Sequence, residues 1–224
     1  MSPPTIVFDL DGTLVDTAED LVATLNAVLV SEGMVPVSVE ALIAMVGSGA
    51  RVMLEAAFAA EGRALTPPVL DRLLATYMGL YEQHLADRSK PYPGAEAMLD
   101  RFAAEGWLIA VCTNKYESAT RKLLGILGLS PRLAAITGQD TFAFRKPDPR
   151  HLTETIRLAG GAPDNAVMVG DSRTDIDTAN AANIPVVAVD YGYSPIPVAT
   201  LDPTRVISHL DDLYDAVAAI RRLG

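Results

Sequence analysis

Short, uninterrupted apolar runs recur along this chain: Thr5 to Phe8, Leu108 to Cys112, Ala134 to Thr137, Ala166 to Val169 and Val186 to Val189, with amphipathic helical patterns between them. A strand that is apolar at nearly every position is covered on both faces, and such strands alternating with helices define an α/β domain on a parallel sheet. The alternation has one long interruption, in which only helical patterns occur. Leu21, Val22, Leu25, Val28 and Leu29 hold helical spacing, with Thr17 as the expected N-cap and Gly33 just past the end. A second pattern runs from about Val52 to Ala60, and a third carries Leu70, Leu73, Leu74, Tyr77, Tyr81 and Leu85. Pro91 and Pro93-Gly94 mark the return to the sheet. The expectation is a Rossmann-like parallel-sheet core of residues 1–15 and 89–224 with an all-helical insert over 16–88. Leu210, Leu213, Tyr214, Val217 and Ile220 pattern a closing helix that packs on the core.

Chemistry gathers where these strands end. Asp9 and Asp11 stand two residues apart where the first run stops at Gly12. In a parallel sheet the carboxyl ends of the strands share one edge, and that edge is where open α/β folds bind ligands. Two carboxylates removed from water need compensation, which a metal ion or a cationic partner supplies. Thr113 and Asn114 follow the second core strand, Lys146 opens Lys146-Pro147-Asp148-Pro149 ahead of a helix, and Asp171 and Asp175 follow Val167-Met168-Val169. The topology therefore predicts that Asp9, Asp11, Thr113, Lys146, Asp171 and Asp175 meet in one crevice. Singly, each has an ordinary role open to it. Thr113 alone reads as a turn residue capping a helix near Glu117, Lys146 as a solvated charge, and Asp171 and Asp175 as an N-cap and a first-turn acid. Capping and metal ligation can coexist. A calcium loop is a poor match, because its glycine stands sixth, after a third acidic ligand.

The remaining sequence mainly excludes. With 224 residues, half of them hydrophobic, the chain can build one large domain or a core with a smaller insert. Eighteen basic against twenty-eight acidic residues give a net charge of −10, which argues against nucleic acid or an anionic membrane as partner. No signal-type segment or membrane-length apolar stretch is present, and Cys112 is the only cysteine, so a cytoplasmic protein without internal disulfides is expected. Cys112 itself reads as a small strand residue. There is no Walker-type phosphate loop and no nucleophile elbow, and His84, His151 and His209 are scattered. Val46-Gly47-Ser48-Gly49-Ala50-Arg51 precedes a helical run. Open backbone N–H groups at Gly47 and Ser48 beside the Arg51 guanidinium would suit a substrate carboxylate. A plain turn with Ser48 as N-cap reads equally well.

Taken together and in order, Asp9-Leu10-Asp11-Gly12-Thr13, Thr113, Lys146 and Gly170-Asp171 with Asp175 resemble the four motifs of the haloacid dehalogenase-like superfamily, and the helical insert resembles that family's cap. The resemblance covers essentially the whole chain. It implies Asp9 as a nucleophile forming an aspartyl phosphate and Asp11 as general acid and then base. Mg²⁺ would be held by Asp9, Asp171 and the main-chain carbonyl of Asp11. Thr113 and Asn114 would bind the phosphoryl group, Lys146 would balance it, and Asp175 would orient its neighbours. The stretch from Asp11 to Leu21, with the glycine-rich segment of the insert, is most similar to bacterial phosphoglycolate phosphatases, which implies hydrolysis of 2-phosphoglycolate to glycolate. The implied partner is a small phosphorylated metabolite, and the expected state a monomer or homodimer. A phosphomutase or pyrophosphatase of the same superfamily, or an inactive binding module, remains open. Phosphonoacetaldehyde hydrolase needs a lysine in the insert, and residues 16–88 contain none. Dehalogenases lack the second aspartate.

Overall fold

The computed structural model describes residues 2–46 and 49–222. Six strands form one parallel sheet: β1 (Thr5–Phe8), β4 (Leu108–Cys112), β5 (Ala135–Thr137), β6 (Ala166–Gly170), β7 (Val186–Val189) and β8 (Arg205–Ile207), in the order β5-β4-β1-β6-β7-β8. Thr5 of β1 is level with Leu108 on one side and Ala166 on the other. The chain builds outward from β1 through β4 to β5, then crosses back to β6. That reversal puts the crevice of an open α/β sheet at the carboxyl end of β1.

Alternate side chains of each strand feed opposite layers. Ile6, Phe8, Ile109, Val111, Val167 and Val169 face one apolar cluster, shared with α5 (Ala95–Ala104), α6 (Glu117–Ile126) and α9 (Leu213–Arg221). Val7, Ala110, Cys112 and Met168 face the other, shared with α7 (Pro149–Leu158) and α8 (Arg173–Ala181). Cys112 is fully buried there, and burial pushes its thiol up to about 11, so it is an unreactive packing residue.

Between β1 and β4 the chain leaves and re-enters through a two-stranded antiparallel ribbon, β2 (Val15–Asp16) on β3 (Lys90–Pro91). Beyond the ribbon lie α1 (Ala18–Ser31), α2 (Val39–Val46), α3 (Ala50–Ala60) and α4 (Pro67–Tyr81). Two polar knots fix this junction. The buried Asp20 carboxylate accepts from Ser89 N at 2.8 Å, Ser89 Oγ at 2.7 Å and Arg88 N at 3.1 Å. The Tyr193 hydroxyl accepts from Thr17 N at 2.8 Å and Ala18 N at 3.0 Å and donates to Asp16 at 2.8 Å.

The apolar runs correspond to strands within one residue, and three elements go beyond the sequence reading. The ribbon strands are two residues each, too short for a period to register. Strand β8 is Arg205-Val206-Ile207, an edge strand with only Ile207 buried and so no apolar run. Helix α2 carries no long stripe, since Leu42 and Val46 are its buried side chains among those described. Thr17 occupies the N-cap position of α1, but its hydroxyl makes no cap bond and donates to Asp11 instead, at 2.6 Å. No helix among the described residues is long and apolar enough to cross a membrane.

Candidate active site

The segment after β1 turns back on itself. Leu14 and Val15 N donate to Leu10 O at 3.1 and 3.0 Å, and Gly12 N donates to Val15 O at 3.0 Å. Gly12 has φ +84°, and a Cβ there would stand 2.5 Å from a carboxylate oxygen of Asp171, so both conformation and space require glycine. The turn delivers Asp9 and Asp11 to the same crevice from different directions.

Asp9 joins an acidic cluster. Carboxylate oxygens of Asp9, Asp171 and Asp175 lie within 4.8 Å of one another, all buried. Lys146 Nζ donates to Asp9 Oδ1 at 2.8 Å and to Asp175 Oδ1 at 2.6 Å. Asp175 also completes the capping box of α8, accepting from Ser172 N at 3.1 Å and Ser172 Oγ at 2.6 Å, so Ser172 rather than Asp171 is the N-cap. Asp171 accepts from Tyr193 N at 2.6 Å and Thr13 Oγ1 at 3.1 Å. Two of the three carboxylates bond the one ammonium and Asp171 bonds none, and the titrations reflect the shortage. Burial, with Asp175 and Asp11 adding to it against Lys146, pushes Asp9 up to about 6. Burial, then Asp175 and Asp9, push Asp171 well above the usual carboxylate range. Burial alone would lower Lys146, yet Asp175 and Asp9 outweigh it and hold the ammonium above its ordinary value.

The cluster has the donor chemistry of a hard divalent cation: only oxygen ligands, and too little positive charge without one. Asp175 is committed to Lys146 and Ser172, whereas the second oxygen of Asp9 accepts no hydrogen bond among the described residues. Asp9, with one open oxygen, and Asp171, whose oxygens each accept one bond from a neutral donor and none from Lys146, are the side chains that could hold a metal.

Asp11 lies outside this cluster. Lys115 Nζ donates to both its oxygens, at 2.9 and 3.0 Å, and Thr17 Oγ1 adds a third bond at 2.6 Å. Sequence reasoning passed over Lys115, although it follows Thr113 and Asn114 at the same strand end and the shared-edge argument covers it too. Burial would depress its ammonium, but Asp11 and then Tyr81 more than offset that. Thr113 lines the crevice and accepts from Lys115 N at 3.2 Å. Asn114 donates to Lys146 O at 3.1 Å and leaves its own buried oxygen without a partner among the described residues.

Helices α1 to α4 roof the crevice with Leu21, Val46, Met53, Tyr77, Met78 and Tyr81. Gly47 and Ser48 lie outside the described residues; Gly49 lines the crevice. The structure does not bring Arg51 in with them. On the outer face of α3 it pairs with Asp71 at 3.0 Å, half exposed, and borders a neighbouring cavity with Tyr116, Gln139 and Arg145. Asp71, exposed on α4, gives the guanidinium a partner at the surface, away from the roof of the crevice.

A parallel sheet with an acid pair at its switch point, a buried lysine and a helical roof defines a class of hydrolases. A family model described as haloacid dehalogenase-like hydrolase matches residues 6–189, and the chain belongs to that family. A phosphoglycolate phosphatase of Mesorhizobium japonicum is 54% identical over 95% of this chain and 94% of its own length. One from Agrobacterium fabrum is 44% identical over 96% and 92%. Among solved structures, a Haemophilus somnus protein described as a predicted phosphoglycolate phosphatase superposes with a TM-score of 0.90 at 27% identity, covering 97% of this chain and 99% of that one. The protein is therefore an enzyme, a hydrolase of the phosphatase type.

Proposed function

We propose that the protein hydrolyses 2-phosphoglycolate to glycolate and phosphate through an aspartyl phosphate on Asp9, with Mg²⁺ as cofactor, and that residues 16–88 act as a cap domain over a core of 1–15 and 89–224. The observation that carries this reading is the difference between the two aspartates. Asp9 sits in the acid cluster against Lys146, whereas Asp11 stands apart, bonded to Lys115 and Thr17. Environments that differ in this way separate a nucleophile from a proton carrier. The names of the relatives support the choice of substrate.

A carboxylate oxygen of Asp9 attacks phosphorus, the P–O bond to glycolate breaks, and Asp11 gives its proton to the departing alkoxide. Water then attacks the phosphoryl group, Asp11 takes a proton from that water, and phosphate leaves with Asp9 restored. Lys146 balances charge on Asp9 and the phosphoryl oxygens, while Thr113 and Asn114 donate to those oxygens. Mg²⁺ held by Asp9, Asp171 and the Asp11 carbonyl would supply the charge that lets a carboxylate approach an anionic ester. An apolar roof over so small a substrate excludes water and bulky esters.

The test is kcat/KM for phosphoglycolate, glucose 1-phosphate, pyrophosphate and acetyl phosphate, in Mg²⁺ and in chelator. Phosphoglycolate is expected to lead by roughly 100-fold, the scale of a site built for a polar group, and chelation to abolish turnover. Phosphoryl transfer to a second sugar hydroxyl in place of hydrolysis would make the protein a mutase.

The metal assignment has its own pH signature. Because burial raises Asp9 and Asp171, metal-free protein holds their protons at low pH, and the stability so gained is lost as pH rises through about 6 for Asp9 and through the raised range of Asp171. Mg²⁺ replaces those protons. The difference in Tm between Mg²⁺ and chelator should therefore widen from pH 5 to pH 8. A difference that stays flat across that range removes these carboxylates as the ligands.

A further inference from the structure

One buried cation, Lys115, holds Asp11 and has no other part in that chemistry. Among the described residues Lys115 and Lys146 are the only basic ones lining the crevice, and Lys146 is occupied by Asp9 and Asp175. Lys115 is just 6% exposed at its side chain. Its ammonium touches both oxygens of Asp11 and lies 4.8 Å from the centre of the Tyr81 ring. Burying an ammonium is costly, and the loop that carries Asp11 already has its own hydrogen bonds from Gly12, Leu14 and Val15.

We propose that Lys115, together with the Tyr81 hydroxyl, is the subsite for the substrate's carboxylate; this deepens the phosphoglycolate reading and rests on it. The first argument is distance. An acid that protonates the leaving oxygen must lie within hydrogen-bond reach of it. In 2-phosphoglycolate a single methylene separates that oxygen from the carboxylate. A cation 2.9 Å from the acid therefore stands where a group one carbon beyond the leaving oxygen falls. The second argument is an orphan. The Tyr81 hydroxyl is buried, lines the crevice and has no hydrogen-bond partner among the described residues. Unpaired buried hydroxyls are unfavourable, and a carboxylate oxygen beside Lys115 would satisfy this one.

The third argument is exclusion. Among the described residues the other side chains on the crevice side of the roof, Leu21, Val46, Ala50, Met53, Tyr77 and Met78, offer a carboxylate no charge, and Arg51 is turned to Asp71 outside the crevice. The subsite also measures its ligand. An anionic group several atoms beyond the leaving oxygen would overshoot Lys115 and meet apolar side chains.

The experiment compares kcat/KM for 2-phosphoglycolate and for ethyl phosphate, which has the same two-carbon length without the carboxylate. In Lys115→Met the ratio of the two is expected to fall about 100-fold, the scale of a lost charge-assisted hydrogen bond, chiefly through KM for phosphoglycolate. Lys115→Arg, which keeps the charge, should restore most of the ratio, and Tyr81→Phe should lower it roughly tenfold. Arg51→Ala should move it less than about threefold, as for an exposed pair. Thermal melts establish that each variant is folded, and Lys115→Arg carries the test if Lys115→Met is not. A wild-type preference that survives in Lys115→Met, or one that collapses in Arg51→Ala, overturns the subsite while leaving the substrate reading intact. If wild type does not prefer phosphoglycolate to ethyl phosphate, the substrate reading falls and takes the subsite with it.

Discussion

Asp9→Asn is expected to lower kcat by at least about 10⁴-fold, the loss typical of removing a nucleophile, while the chain stays folded. Asparagine has the shape of aspartate, and the main-chain bond that places this residue, Asp9 N to Val169 O at 2.9 Å, does not involve the side chain. What disappears is an anionic oxygen able to attack phosphorus. The exchange also removes one negative charge from a cluster in which Asp9 and Asp175 share Lys146 and Asp171 lies alongside. In chelator, Asp9→Asn should therefore melt no lower than wild type. Asp11→Asn gives a useful contrast. As loss of a general acid and base it should cost about 10²–10⁴-fold in kcat without weakening Mg²⁺ binding, because its carboxylate lies outside the cluster. Steady-state kinetics at saturating Mg²⁺, with melts in chelator, separate the two variants. Residual Asp9→Asn activity above about 0.1 per cent would remove Asp9 as nucleophile, since a thousandfold loss or more is the least that role allows.

How far the fold could be read from the residues depended on how strongly each element was constrained. Strands β1, β4, β6 and β7 are packed on both faces, so nearly every position must be apolar and the run itself marks the strand. Strand β8 has one buried residue and the β2–β3 ribbon only a few residues in all, so burial left little trace in them. The meeting of Asp9, Asp11, Thr113, Lys146, Asp171 and Asp175 was legible for a topological reason: a parallel sheet gathers its strand ends on one edge. Side-chain partnerships were not legible in the same way. Thr17 has the right position to cap α1, but Asp11 is the better acceptor for its hydroxyl, and only the folded turn brings the two together. Tyr193 holds the ribbon from 176 residues away in sequence, a contact that no local pattern encodes. Arg51 shows the same limit from the other side. Its sequence neighbourhood suited an anion, but the helix turned its side chain outward to Asp71.

Lys146 carries the largest stability effect expected of any single side chain here. It is 2% exposed at its side chain, and its two partners, Asp9 and Asp175, are 9% and 0% exposed. Lys146→Met fills a similar volume but leaves two carboxylates buried without their cation, and breaking a buried pair from one side costs about 3–5 kcal/mol. For a chain of this length that corresponds to a fall in Tm on the order of 10 °C. By contrast, Arg121→Ala breaks an exposed pair with Glu117 and should cost well under ~1 kcal/mol. The melts are run in chelator, so that weakened metal binding does not enter the comparison. Adding Asp9→Asn to Lys146→Met removes one of the stranded charges and should recover part of the lost Tm, whereas two independent contacts would give additive losses. A fall of less than about 2 °C in Lys146→Met, under ~1 kcal/mol on the same scale, would mean that water reaches the pair, and the crevice floor would then be too wet to hold Asp9 near its raised pKa. A large fall with partial rescue ties the stability of the sheet edge to the group that balances charge during turnover, so substitutions that adjust the chemistry at Lys146 must also alter the fold.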